Sequence, residues 1–213
     1  MKLYIISPDI PEKIKDVYYA FLKLDSNYFK HIYAFQLRFK VLYNIDSYEK
    51  YIIDIKNICK KNNIYFIIND NFDLMMYLNA DGIHVGMDDD ESYSRAKEYN
   101  KNNTECKKII GISCYNQLKR GIDIMSHITY VSFGCFFSSQ TKLNPIARPN
   151  PQIIEEWKKI SSIPCIAIGG IDEYNIKTIT DYKPNYIAIS SYIWNSNNPI
   201  KALKLLVDIL VQC

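Results

Sequence analysis

Eight short runs of aliphatic, β-branched and aromatic residues punctuate this chain, separated by segments whose apolar residues recur at helical spacing. The runs are Leu3–Ile6, Ile32–Phe39, Tyr65–Ile68, Gly82–Val85, Ile109–Ile112, Tyr130–Phe133, Cys165–Ile168 and Tyr186–Ile189. The clearest helical segments are Tyr48–Cys59, Pro151–Ile160 and Pro199–Val211; in the last, Ile200, Leu203, Leu206, Val207 and Leu210 make one stripe. Strand and helix alternating throughout imply right-handed crossovers and a parallel sheet. Several runs are apolar at nearly every position, as strands covered on both faces must be. Eight units with no linker predict one α/β domain over residues 1–213, a closed (β/α)8 TIM barrel. No G-x-G-x-x-G follows the first run, which argues against a dinucleotide-binding sheet.

In such a barrel the C-terminal strand ends share one cleft. Side chains alternate along a strand, so Gln36, Arg38 and Lys40 share one face of the second strand and Leu37 and Phe39 the other. The apolar pair belongs against the covering helices, which turns the polar trio toward the barrel mouth. Two cations and an amide there are costly unless they bind an anion, the alternative being salt bridges to carboxylates in neighbouring loops. The third strand ends in Asn69-Asp70, and Asp88-Asp89-Asp90 follows the fourth. Carboxylates beside a cationic site suit either plain ion pairs or Mg2+, which takes one or two carboxylates plus ligand phosphates; the three aspartates equally suit a solvated helix start. Ser113 follows the fifth strand. The sixth leads to Ser138-Ser139-Gln140-Thr141-Lys142, a loop that can wrap a phosphate or simply be flexible and polar. Gly169-Gly170 and Ser190-Ser191 end the seventh and eighth, where barrels often cradle phosphate. The aperiodic stretch from Ser138 to Asn150 reads as a lid. Together these groups offer room for two phosphorylated ligands.

Composition narrows the alternatives. A net charge of +3 is too small to argue for nucleic acid or a membrane surface. No apolar stretch approaches the roughly 20 residues of a membrane span, and Met1 to Pro8 has no cleavage-type site. The cysteines at 59, 106, 114, 135, 165 and 213 form no C-x-x-C pair, and several sit in strand-like runs where buried reduced thiols are expected. A soluble cytoplasmic protein is expected, with homo-oligomerisation left open. Structural roles are expected for His31, His84 and His127, and packing roles for Trp157 and Trp194.

Taken in order, the pieces resemble the thiamine-phosphate synthase family: Gln36-Leu37-Arg38-Phe39-Lys40, Ile68-Asn69-Asp70, Ala80-Asp81-Gly82-Ile83-His84-Val85-Gly86 with Asp89, Gly111-Ile112-Ser113, Thr141-Lys142, and Ala167-Ile168-Gly169-Gly170-Ile171. The resemblance implies a transferase joining an aminopyrimidine pyrophosphate to a thiazole phosphate with release of pyrophosphate. It makes the whole segment from Gln36 through Leu37, Arg38, Phe39 and Lys40 substrate-binding, with Asn69, Ser113 and Lys142 holding the same pyrimidine ligand. It gives Mg2+ to Asp70 and Asp89, and the thiazole phosphate to Ser139, Gln140, Thr141, Gly170, Ser190 and Ser191. Arg38, Lys40, Lys142 and Ser113 would carry the chemistry by neutralising the leaving group.

This chain departs from the family at Phe39 (usually Glu), Met87 (usually Gln), Tyr115 (often His), Ser139 (commonly Thr) and at Cys135 and Ser138, where prolines are frequent. Two rivals follow. A thiazole tautomerase on the same barrel needs a general acid or base, and the position often holding His is Tyr115. A barrel that binds phosphate ligands without turnover would keep the pocket alone.

Overall fold

The computed structural model describes residues 1–39, 45–86, 89–138 and 149–212. Eight parallel strands close into a barrel in sequence order: β1 Lys2–Ile6, β2 Ile32–Leu37, β3 Tyr65–Asn69, β4 Gly82–Val85, β5 Ile109–Tyr115, β6 Tyr130–Phe133, β7 Cys165–Ile168 and β8 Tyr186–Ile189. Closure is made by β1 and β8, with Leu3 opposite Ile187 and Ile5 opposite Ile189. The helices are α1 Ile14–Lys23, α2 Ser26–Phe29, α3 Glu49–Lys61, α4 Phe72–Tyr77, α5 Asp90–Asn102, α6 Leu118–Ile124, α7 Gln152–Ile160, α8 Ile176–Thr180, α9 Ser191–Trp194 and α10 Pro199–Gln212. The barrel reading of the sequence is therefore met, strand by strand. β2 stops at Leu37, and Arg38 and Phe39 continue it without ladder pairing.

Alternation sorts the strand residues into two cores. Leu3, Ile5, Phe35, Leu37, Phe66, Ile68, Ile83, Val85, Ile110, Ile112, Val131, Phe133, Cys165 and Ala167 face outward and pack with the buried stripes of the helices. Tyr4, Ile6, Ala34, Ile67, Tyr130, Ile166 and Ala188 fill the barrel interior. β2 breaks simple alternation: its register against β1 shifts between Leu3 and Tyr4, so that Tyr33 and Ala34 both belong to the inner set. At the N-terminal mouth the Tyr33 ring stacks on Tyr186 at 3.7 Å between centroids, and Tyr65 meets Tyr33 at 5.3 Å. These rings floor the barrel.

The outer shell is pinned by two indoles. Trp157 of α7 is fully buried and donates to the Ile163 carbonyl at 2.7 Å. Trp194 of α9 donates to the Ile6 carbonyl at 2.6 Å, tying α9 to the end of β1. Both are packing residues, as the sequence suggests. Cys59, Cys114 and Cys165 are buried free thiols, Cys135 is half-buried and Cys106 exposed. Among the described residues no helix is long and apolar enough to cross a membrane.

Candidate active site

A cavity of about 490 Å³ opens at the C-terminal mouth, lined from all eight strand ends. Gln36, Arg38, Asn69, Asp70, Asp89, Ser113, Gly170, Ser190 and Ser191 all line it, so residues far apart in sequence meet in one space. Leu37 and Phe39 do not line this cavity; they pack outward against the helical shell, Leu37 fully buried and Phe39 partly so. That follows from the alternation that turns Gln36 and Arg38 inward. Lys40, Ser139, Gln140, Thr141 and Lys142, with most of the anticipated lid, lie outside the described residues.

The acidic side is built around Asp70. Its backbone sits at φ 58°, a left-handed conformation that aspartate tolerates better than most residues. Oδ1 accepts the Gly86 N–H at 2.6 Å, and the Asn69 amide donates to Oδ2. Gln36, nearly buried, donates from Nε2 to the Asn69 carbonyl oxygen. A run of hydrogen bonds thus spans β2, β3 and the end of β4. Burial pushes the Asp70 pKa up; the Gly86 N–H opposes this, and the charge of Asp89 adds to it. Asp89 sits at a helix start, one of the alternatives the sequence left open, and it also faces the cavity. It caps α5, accepting from the Ser92 N–H at 3.3 Å.

Arg38 enters from the end of β2. Burial lowers its pKa, while the charges of Asp70 and then Tyr115 oppose the shift. Its guanidinium pairs with Asp9, a second cavity-lining carboxylate. Ser7, fully buried, knits three strand ends together: its N–H donates to the Gln36 carbonyl at 2.9 Å, its Oγ accepts the Arg38 N–H at 2.8 Å, and its carbonyl accepts from Ser190 Oγ at 3.2 Å. Opposite, Gly170 turns the chain after β7 at φ 65°, and a Cβ there would stand 2.5 Å from the Ser138 carbonyl oxygen. Only glycine meets both demands. Asn175 holds the turn by donating to the Gly170 carbonyl at 2.9 Å.

Asp9, which sequence reasoning passed over, and His84 line the cavity, and Ser7, Tyr4 and Tyr130, also passed over, lie buried behind its wall. His84 is only 6% exposed, yet lies at the cavity, with Nε2 3.0 Å from Ser113 Oγ and Nδ1 3.1 Å from Tyr130 Oη. The expectation of a purely structural histidine is incomplete there. Its parity along β4, shared with Gly82 and Gly86 and opposite to Ile83 and Val85, was the available clue.

Comparison with known proteins agrees with this geometry. A family model described as thiamine monophosphate synthase matches residues 3–193. A thiamine-phosphate synthase of Pelagibacter ubique is 38% identical over 212 residues, covering 96% of this chain and 95% of that protein. One from Staphylococcus haemolyticus is 35% identical over 170 residues, covering 78% and 77% of the two chains. Among solved structures, a thiamine phosphate pyrophosphorylase from Pyrococcus furiosus superposes with a TM-score of 0.77 over 99% of this chain and 96% of that one, at 21% identity, a likeness of fold. On the strength of the family match, which runs from β1 to beyond β8, the chain belongs to the thiamine monophosphate synthase family.

Proposed function

We propose that this protein is a thiamine-phosphate synthase, joining an aminopyrimidine that carries a diphosphooxymethyl group to a thiazole phosphate. The observation that carries the reading is the single cavity in which Gln36, Arg38, Asn69, Asp70, Asp89 and Ser113 face the Gly170 turn and the serines after β8. Amide, cation, carboxylate and hydroxyl on one side suit a ring with a pyrophosphate. Backbone and hydroxyls on the other suit a phosphate monoester.

In the proposed reaction the C–O bond to pyrophosphate breaks and its electron pair leaves with the pyrophosphate. The exocyclic amino group of the pyrimidine delocalises the resulting cation. The thiazole nitrogen lone pair then forms the new C–N bond. No proton is transferred between protein and substrate in this sequence, so the hydrogen-bonded Ser113–His84 pair is not called on as nucleophile and base. The work left to the protein is alignment and charge stabilisation: alignment of two bound reactants can supply about 7–11 kcal/mol in favourable cases. Gln36 and Asn69 hold the ring, Arg38 and Ser113 meet the leaving oxygens, and Lys40 and Lys142 add charge from segments outside the described residues.

Asp70 and Asp89 fit Mg2+ as ligands. Two carboxylates face the cavity and repel each other enough for Asp89 to raise the Asp70 pKa, and Mg2+ prefers one or two carboxylates with ligand phosphate. When bound there it would neutralise pyrophosphate charge. The deciding assay gives purified protein both substrates with Mg2+ or with chelator. Thiamine phosphate that requires Mg2+ and is lost in Lys142→Ala supports the reading; both ligands binding without product would reduce the protein to a binding barrel.

A further inference from the structure

One chain of hydrogen bonds inside the barrel has no counterpart in the scheme above. Tyr4 Oη lies 2.8 Å from Tyr130 Oη, which lies 3.1 Å from His84 Nδ1; His84 Nε2 lies 3.0 Å from Ser113 Oγ. The chain runs from the sealed interior to the cavity. Tyr4 is 1% exposed and Tyr130 wholly buried, whereas Ser113 is half-buried and lines the cavity. The path is reserved by a glycine on β5: a Cβ at Gly111 would stand 2.0 Å from Tyr130 Cζ.

Each member can in principle donate or accept, so the chain could point either way. Its closed end decides. Tyr4 Oη has Tyr130 as its one hydrogen-bond partner among the described residues. Both phenols have raised pKa values, from burial first, and keep their protons. Were Ser113 to donate to His84, the imidazole would donate to Tyr130 and Tyr130 to Tyr4. The Tyr4 proton would then be buried with no acceptor, forfeiting its hydration with nothing in return. Run the other way, every proton is used: Tyr4 donates to Tyr130, Tyr130 to Nδ1, and the Nε2–H to Ser113 Oγ. The Ser113 proton is left over, and among the described residues it has only the cavity to point into.

We infer that Tyr4, Tyr130 and His84 are positioning residues that form a one-way hydrogen-bond chain, fixing Ser113 as a donor toward the cavity and so favouring a ligand atom that accepts. A phosphate or pyrophosphate oxygen, which offers lone pairs and negative charge, meets this best; an ammonium, which can only donate, does not. The ligand's identity rests on the synthase reading, but the direction of the chain does not. His84 acts neutral, as the Nε2–H tautomer, through Ser113 rather than on substrate.

The test reads the tautomer directly. In protein labelled with ¹⁵N-histidine, protonated and bare ring nitrogens resonate far apart, and correlations to the ring protons assign them. Wild type should show a protonated Nε2 and a bare Nδ1. A protonated Nδ1, alone or with Nε2, overturns the inference without any variant being made. Tyr130→Phe removes the donor to Nδ1, two hydrogen bonds back from the cavity-facing proton of Ser113. It should give a mixture of tautomers and lower kcat/KM for the pyrophosphate substrate about 3- to 10-fold, the scale of a partly lost bond to a charged acceptor. An unmixed wild-type tautomer and unchanged kinetics in Tyr130→Phe would also overturn it. Absence of turnover in wild type, with the Nε2–H tautomer present, would instead remove the synthase reading and leave the chain standing.

Discussion

Asp70 is held in a way that burdens the folded chain. Burial and the nearby Asp89 raise its pKa, and the Gly86 N–H only partly compensates. Because the folded value exceeds the unfolded one, folding favours the neutral acid. This group's contribution to stability is full below the usual carboxylate value of 3.8 and is lost as pH rises through the raised one. Asp70→Asn should therefore gain on wild type in chelator as pH is raised from 3 toward 7, read as the widening difference in melting temperature; a gap that narrows instead would refute the ionic cost. Asparagine also accepts the left-handed backbone at this position. Adding Mg2+ at neutral pH should raise the wild-type melting temperature and leave the variant's unchanged. Turnover in Asp70→Asn should fall at least about 100-fold, as when one element of transition-state charge stabilisation is removed. The carboxylate faces the cavity at the expense of the fold.

At the level of elements, two contacts connect packing with the cavity. Gly111→Ala forces a methyl group against the Tyr130 ring from 2.0 Å, so the ring must move. Overpacking of this kind costs about 1–3 kcal/mol, and denaturant melts should locate the loss, accompanied by a change in the His84 tautomer signals. Trp157→Ala should cost about 3–5 kcal/mol, since it empties a fully buried site and orphans the Ile163 carbonyl; a loss below 1 kcal/mol would mean that α7 does not depend on it. The strands themselves were legible from short runs and alternation, because a parallel strand buried on both faces has little latitude in composition. So were Gln36 and Arg38, whose parity set them opposite Leu37 and Phe39. The bulge at Tyr33 was not, since it depends on register against β1. Nor were Ser7, Asp9 and Tyr130. Each matters through partners 29 to 46 or more residues away, such as Arg38 for Asp9 and His84 for Tyr130. Local pattern carries no trace of such pairings. His84 lay between the two cases: its inward parity could be read, but the hydroxyls awaiting it could not.

At the scale of the whole molecule, the barrel gathers contributions from strands spread along the chain and delivers them to one mouth. The opposite mouth is shut by Tyr33, whose ring contacts both Tyr186 and Tyr65, with Tyr4 above it. The site is accordingly a cup rather than a tunnel, and a cup imposes traffic rules. With entry from one mouth only, the expectation is that the proposed pyrimidine ligand takes the inner berth and the thiazole phosphate the outer one. Whatever docks second closes the way out for whatever docked first. Steady-state kinetics should then show strict queueing: an unreactive thiazole phosphate analogue should inhibit uncompetitively against the pyrimidine substrate, and noncompetitive inhibition would mean that either may enter first. Three packed phenols at the far end of the molecule, touching neither substrate, would in that way write the order of its reaction.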